Sequence, residues 1–310
     1  MNDFSKHPLY GAHTIDTAMN SLWSFYKNNF VMLFLMSLVM ASILQYAMMS
    51  LVDIQALQVE TDINVLMEKF SEQMGGLGII VLANFLFTVI IQTYIMFSPL
   101  DEDVSMVDLT IKALRYSIPY VIILIFFSAF AGIAIVLGLF AFVIGAIFAV
   151  IYVIMLYLFI LPVMMAEKAD IGYTIGRVAG MAHKKFWSNY AFVAVFIGLF
   201  LIISFMASIL ILAPFTGDFL ASIFNPDGAA NVADITQKPL YIVLSVIVNA
   251  IMLPFIPILS ALIYFSAKAR EENQTHDYIR IEETRVTVED LYAKPYSDNH
   301  PDNPENKPEA

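Results

Sequence analysis

Residues Ser117 to Ala166 read SIPYVIILIFFSAFAGIAIVLGLFAFVIGAIFAVIYVIMLYLFILPVMMA, fifty consecutive positions without one Asp, Glu, Lys, Arg or His. A helix rises 1.5 Å per residue, so about 20 residues cross a hydrocarbon core about 30 Å thick. The run is too long for one crossing and long enough for two. It predicts two spans joined by a turn, with Gly138 as the turn residue, since nothing polar marks the joint.

Outward from this run, apolar stretches recur at Phe30 to Val52, Leu77 to Ser98, Tyr190 to Ala213 and Leu240 to Ala267. Each is near or above the length of one crossing, which makes six spans. Composition agrees: 59% of residues are hydrophobic and 14% charged, against about 45–50% and about 25% in a soluble domain. The chain is therefore expected to live in lipid. Its net charge of -11 collects largely after the first span and in the C-terminal tail, and so says little about a site.

Basic residues supply an independent check on topology. Lys6, Lys27, Lys112, Arg115, Lys168, Arg177, Lys184, Lys185, Lys268, Arg270, Arg280, Arg285, Lys294 and Lys307 fall on one side, and only Lys69 and Lys238 on the other. Because cytoplasmic loops gather Lys and Arg, both termini are expected in the cytoplasm. The opening residues, MNDFSKHPLYGAH, lack the features of a cleavable signal. The expected setting is a bacterial inner membrane.

Each pair of spans is preceded by a segment with helical periodicity that is too polar to cross. Ile15, Ala18, Met19, Leu22, Trp23, Tyr26 and Phe30 share one face. Ser105 opens a capping box with Asp108, and Val107, Ile111, Leu114 and Ile118 follow on one face. Ile171, Ile175, Val178, Ala182 and Phe186 make the third stripe. The fold class expected is all-α: six transmembrane helices as three hairpins, each led by an amphipathic interfacial helix. The boundaries are 1–29 for an amphipathic N-terminal segment, 30–267 for the membrane domain and 268–310 for the tail.

On the far side, Asp53 to Gly76 carries a stripe of Ile63, Leu66, Met67, Phe70 and Met74 ending at Gly75-Gly76, read as a surface-lying helix. Pro214 to Pro239 contains Phe215, Phe219, Leu220, Ile223 and Phe224 before a turn at Asn225-Pro226-Asp227-Gly228, and its apolar half is expected to dip into the interface. From Lys268 on, eleven carboxylates, six basic residues and four prolines predict a largely disordered tail, with Tyr278 to Tyr292 as a short docking segment for a protein partner.

No ionisable residue lies deep in a span, although such residues are the usual mark of proton relays and ion pathways. The intramembrane polar groups are Gln45, Asn84, Thr88, Gln92 and Asn249. Asn84, Thr88 and Gln92, spaced at i, i+4 and i+8, share one face and are expected to face protein. They either line a polar path or form interhelical hydrogen bonds worth about 0.6 kcal/mol each. Pro254 and Pro257 should break span six, which in a transporter exposes carbonyls to substrate and elsewhere is a simple kink met by neighbours such as Asn249. Ala141, Gly145 and Ala149 make a small face for close packing. Gly172, Gly176 and Gly180 form a stripe that could receive a helix or a lipid chain, or simply loosen the segment.

Arg177, Lys184, Lys185 and Trp187 are candidates for lipid headgroup contact, worth about 1 kcal/mol per charge, or are plain topology signals. The five histidines are scattered, no HExxH, GxSxG or phosphate loop occurs, and cysteine is absent. Glu167 and Asp170 could serve acid-base chemistry, but with Lys168 between them they resemble a solvated helix start. No catalytic, metal or cofactor site is expected, and no nucleic-acid partner.

Pro162-Val163-Met164-Met165-Ala166-Glu167-Lys168-Ala169, with Gly172, Ile175 and Phe186-Trp187-Ser188-Asn189, resembles the signature of a bacterial six-span family, the glycerophosphodiester phosphodiesterase membrane domain. The resemblance implies the membrane scaffold, with Pro162, Glu167 and Trp187 at matching positions. Catalysis in that family belongs to a separate soluble domain, and the short acidic tail here leaves no room for one. The expected function is thus a non-catalytic membrane protein that organises lipids or partners through its amphipathic helices and tail. The alternative is a transporter or flippase for an uncharged or amphiphilic substrate, using the broken sixth span.

Overall fold

The computed structural model describes residues 3–53, 62–101, 105–167, 170–224 and 234–283. By contacts the chain divides into two units, residues 1–268 and 269–310. Among the described residues there is no strand. The helices are α1 (Ile15–Asn28), α2 (Phe30–Leu51), α3 (Ile63–Phe97), α4 (Met106–Phe140), α5 (Phe142–Ala166), α6 (Ile171–Lys184), α7 (Phe186–Leu212), α8 (Thr216–Phe224), α9 (Pro239–Met252) and α10 (Phe255–Glu283). Six helical segments are long and apolar enough to cross a membrane: Phe30–Leu51, Ile63–Leu100, Met106–Phe140, Phe142–Ala166, Phe186–Asp218 and Pro239–Asn273.

In the first unit α2 packs on α3, α3 on α4, α4 on α5, α5 on α7, α7 on α9, and α9 returns to α2, while α3 also touches α5. Residues 257–266 of α10 are buried without interruption, as are 158–166 of α5 and 91–97 of α3. A helix buried on every side is a core helix. Ser260 donates to the carbonyl of Leu158 at 2.5 Å and ties α10 to α5.

The turn in the central run falls at Ala141 and Phe142, not at Gly138. Phe142 has a φ of 59°, a left-handed conformation costing a non-glycine residue about 1–2 kcal/mol. Gly138 is spent otherwise: a Cβ there would lie 2.7 Å from the carbonyl oxygen of Gly145 and 2.9 Å from Cβ of Ala149. The glycine serves a close helix approach, and the chain turns three residues later.

Gly75-Gly76 likewise ends no helix. The stripe from Ile63 to Met74 is the first part of α3, about 52 Å long at 1.5 Å per residue for its 35 residues, and no separate surface helix forms from it. A Cβ on Gly76 would sit 2.5 Å from the carbonyl oxygen of Leu51, so this glycine lets α3 approach the end of α2. Residues 54–61 lie outside the described segments. So does the Asn225 to Gly228 turn. In α8 Asp218 pairs with Lys238, whose ammonium lies 5.6 Å from the Phe215 ring centre.

The three polar stripes meet different fates. α1 is a separate helix, opened by a reciprocal cap between Thr14 and Thr17, with Ala18, Leu22, Phe25 and Tyr26 buried. The second runs without a break through Pro119 into the following span as α4, capped by Ser105 on the Asp108 amide at 3.1 Å. α6 is again separate, capped by Asp170 on the Tyr173 amide at 2.8 Å. It does not lie across the end of α5 but runs back alongside it: Arg177 reaches Glu167, and His183 reaches Tyr152 at 3.0 Å. The fourteen steps from Tyr152 to Ala166 correspond to about 21 Å of helix. The α6 end is closed by Asn189, whose amide donates to the carbonyls of Met181 at 3.1 Å and Ala182 at 3.3 Å.

The N-terminal residues are part of this core. Phe4 and Leu9 are buried, His7 is 3% exposed, and its ring centre lies 4.6 Å from that of Phe265. Nδ1 of His7 accepts the Leu9 amide at 3.1 Å. Nε2 therefore carries the proton and donates to the Ile95 carbonyl at 2.9 Å. Burial drives the pKa down to about 4, against the smaller upward pull of the Ile95 carbonyl. The unfolded ring protonates near 6.5 and the folded one near 4, so stability is complete above 6.5 and lost as pH falls between those values. At pH 5 the loss is about 2 kcal/mol. Hydrogen exchange at residues 4–10 should accelerate between pH 7 and pH 5, and His7→Gln should remove that dependence; the same acceleration in the variant would refute the assignment.

Candidate functional site

The polar residues of span two separate along their helix. Asn84 is exposed, Thr88 half-buried and Gln92 buried; only the last turns of α3 are enclosed by neighbours, so the expectation that all three face protein fails at Asn84. Thr88 donates to the Asn84 carbonyl at 2.9 Å and stays within its own helix. The buried Nε2 of Gln92 has no hydrogen-bond partner among the described residues. Thr88 and Gln92 line a pocket of about 10 Å³ with Tyr120, Tyr157, Pro257 and Ser260, the size of one water. Above it the Tyr120 and Tyr157 hydroxyls bond at 2.9 Å.

Asn249 lines a different and much larger cavity. A vestibule of about 990 Å³ opens between α2, α3 and α9, with Gln45, Tyr241, Ser245 and Asn249 on its walls. Asp53, Lys69 and Glu72 stand near the ends of α2 and α3 that Gly76 brings together. Asn249 is one turn before the break in span six, where α9 stops at Met252 and α10 starts at Phe255. Pro254 ends the first helix, and Pro257 falls in the first turn of the second, where its missing N–H costs least. Of the freed carbonyls, that of Ile251 is met by the Tyr26 hydroxyl at 3.0 Å, from α1 and not from Asn249. Gln92 and Asn249 thus belong to separate cavities.

A third cavity, a groove of about 310 Å³, runs between α4, α5 and α6, walled by Ile123, Phe127, Tyr152, Leu156, Val178 and His183. The hydrophobic face of α6 rests on the α4 and α5 spans, while Gly176 and Gly180 are exposed and do not line the groove, nothing lying within 4 Å of where a Cβ on either would stand. His183, Lys184 and Lys185 are exposed at the α6 end, beside Trp187 at 72% exposure. Trp187 stands in an aromatic cluster with Phe148, Phe186 and Tyr190, the Phe148 and Tyr190 ring centres being 4.5 Å apart.

Arg177 is placed apart from those lysines. Its Nε donates to Glu167 Oε2 at 2.8 Å and its Nη2 to Oε1 at 3.1 Å, a two-point contact that a guanidinium makes well. The same carboxylate accepts Tyr173 at 2.6 Å and Tyr264 at 3.1 Å. Its side chain is 12% exposed, so Glu167 is no solvated helix start; Asp170 alone has that role. Burial pushes the Glu167 pKa up, but hydrogen bonds from Arg177 and Tyr173 and the Arg177 charge outweigh it and hold the carboxyl below its ordinary value. The cluster joins α5, α6 and α10. Among the described residues no three His, Asp or Glu side chains are grouped to hold a metal.

Helices of this length and apolarity, with residues 257–266 buried in the core, define an α-helical protein built to cross a membrane several times. Compared with protein-family models, with curated proteins and with solved structures, the chain matches none.

Proposed function

We propose that the chain is a non-catalytic protein of the bacterial inner membrane, with both termini cytoplasmic, that gathers anionic lipid at its α6 side. The observation that carries this reading is the groove between α4, α5 and α6, apolar along its walls and lined by His183, after which Lys184, Lys185 and Trp187 follow exposed in the chain. A volume near 310 Å³ is at the small end of ligand sites and suits one acyl chain. Two lysines at about 1 kcal/mol each supply the preference for a negative headgroup. The two carboxylates a hydrolase would need here are occupied in holding the fold, Glu167 in the clamp and Asp170 as a cap.

In single-tryptophan protein carrying Trp23→Phe, brominated anionic phospholipid should quench Trp187 at lower mole fraction than brominated zwitterionic lipid. Lys184→Gln with Lys185→Gln should weaken the anionic preference by about thirtyfold, the equivalent of about 2 kcal/mol. Equal quenching by both lipids would sink the reading.

The resemblance to the glycerophosphodiester phosphodiesterase membrane domain supports a scaffold of this kind. A protein partner at the tail stays part of the proposal, although residues 284–310 lie outside the described segments. Passage of a solute past span six is a second reading. The vestibule reaching Asn249 favours it, and the filled core around Gln92 weighs against an open path.

A further inference from the structure

We infer that the small pocket under the Tyr120 and Tyr157 hydroxyls is the binding site of one structural water, which ties α3, α4, α5 and α10 together just past the break in span six. The inference neither uses the lipid groove nor depends on it.

Size and chemistry together fix the occupant. At about 10 Å³ the pocket holds one water and excludes any organic solute. No charged side chain lines it, so an ion would be buried without a counter-charge. Gln92 is 1% exposed, and its buried Nε2 has two hydrogens to give and no acceptor among the described residues. The Tyr120 and Tyr157 hydroxyls carry two protons between them and share one bond of 2.9 Å, which leaves one proton over. On the accepting side, Ser260 spends its proton on the Leu158 carbonyl at 2.5 Å and Thr88 on the Asn84 carbonyl at 2.9 Å, so both oxygens keep lone pairs. Two donors and two acceptors are the complement of a single water, which can accept two hydrogen bonds and donate two. Pro257 closes the pocket from the first turn of α10. The bridge therefore holds the chain just after the break, as the Tyr26 hydroxyl holds the Ile251 carbonyl just before it.

X-ray radiolysis of the intact chain in lipid nanodiscs tests the site, because hydroxyl radicals formed from a bound water oxidise the side chains beside it. Tyr120 should be oxidised about tenfold faster than Tyr264, a tyrosine buried as fully but outside the pocket. Gln92→Met, close in volume, withdraws the amide. Tyr120 oxidation should then fall to the Tyr264 level, and the melting temperature should drop by about 2 °C. Tyr120 oxidised no faster than Tyr264 in wild type overturns the site, whether or not the variant folds. Unchanged Tyr120 oxidation in Gln92→Met, or a variant that melts higher than wild type as when an orphaned polar group is removed, overturns the part given to Gln92. None of these outcomes touches the tryptophan-quenching test of lipid binding.

Discussion

Replacing Gly145 by Leu should cost about 3 kcal/mol or more, as overpacking against backbone does at its upper end. A Cβ on Gly145 would fall on the carbonyl oxygen of Gly138 and within 2.6 Å of Cβ of Ala141. One obstacle is a backbone carbonyl and the other a Cβ, so neither can rotate away; α4 and α5 must part or the turn must be rebuilt. For a chain of this size the melting temperature should fall by roughly 6–12 °C. Gly132→Leu is the matched control, because Gly132 lies in the neighbouring helix α4 and nothing lies within 4 Å of its Cβ position. Thermal stability of both variants in one detergent checks the claim. Equal melting of the two would show that glycine at 145 is dispensable and that the packing of the α4–α5 turn rests on something else.

That glycine marks the boundary of what the sequence discloses. The six apolar runs are legible because their length and freedom from charge have one physical use, crossing hydrocarbon. The position of the turn is not, since glycine both frees the backbone and lets helices touch, and in an apolar run the two uses look alike. Gly138 and Gly76 are read as breaks and prove to be contacts with Gly145 and Leu51. Periodicity predicts helices at α1 and α6, yet their direction depends on partners distant in sequence: Tyr152 for His183, and Ile251 for Tyr26. His7 leaves no local trace at all. Its two nitrogens are matched by Leu9 and by Ile95, eighty-eight residues away. Asn249 and Pro254 are visible as an amide before a break, whereas the cavity that gives Asn249 a surface is formed by α2 and α3.

Glu167→Ala should be as damaging as the Gly145 change, for an electrostatic reason. It removes the one carboxylate that Arg177, Tyr173 and Tyr264 share. Removing one side of a buried ion pair costs about 3–5 kcal/mol; Arg177 is 25% exposed and recovers some hydration, which places the expectation near the lower figure, about 3 kcal/mol. If the loss belongs to the pair, Arg177→Ala in the Glu167→Ala background should add little, with a coupling of at least about 1 kcal/mol in a double-mutant cycle. Strict additivity would mean that the two side chains act separately. The pH dependence separates this cluster from the buried His7. Glu167 has its folded pKa below the unfolded value, so its contribution is whole above about pH 5 and disappears only as acid protonates it in the folded state. The difference between wild type and Glu167→Ala should therefore be flat from pH 8 to pH 5, through the window in which His7 loses its own contribution, and should shrink at lower pH. A difference that shrank already between pH 7 and pH 5 would make the clamp titrate with the histidine and would refute the assignment of the low carboxyl pKa to Arg177 and Tyr173. Because the clamp anchors the start of α6 to α5 and α10, its loss should also loosen the wall of the groove between α4, α5 and α6. Anionic-lipid quenching of Trp187 should then weaken in Glu167→Ala although Lys184 and Lys185 are untouched.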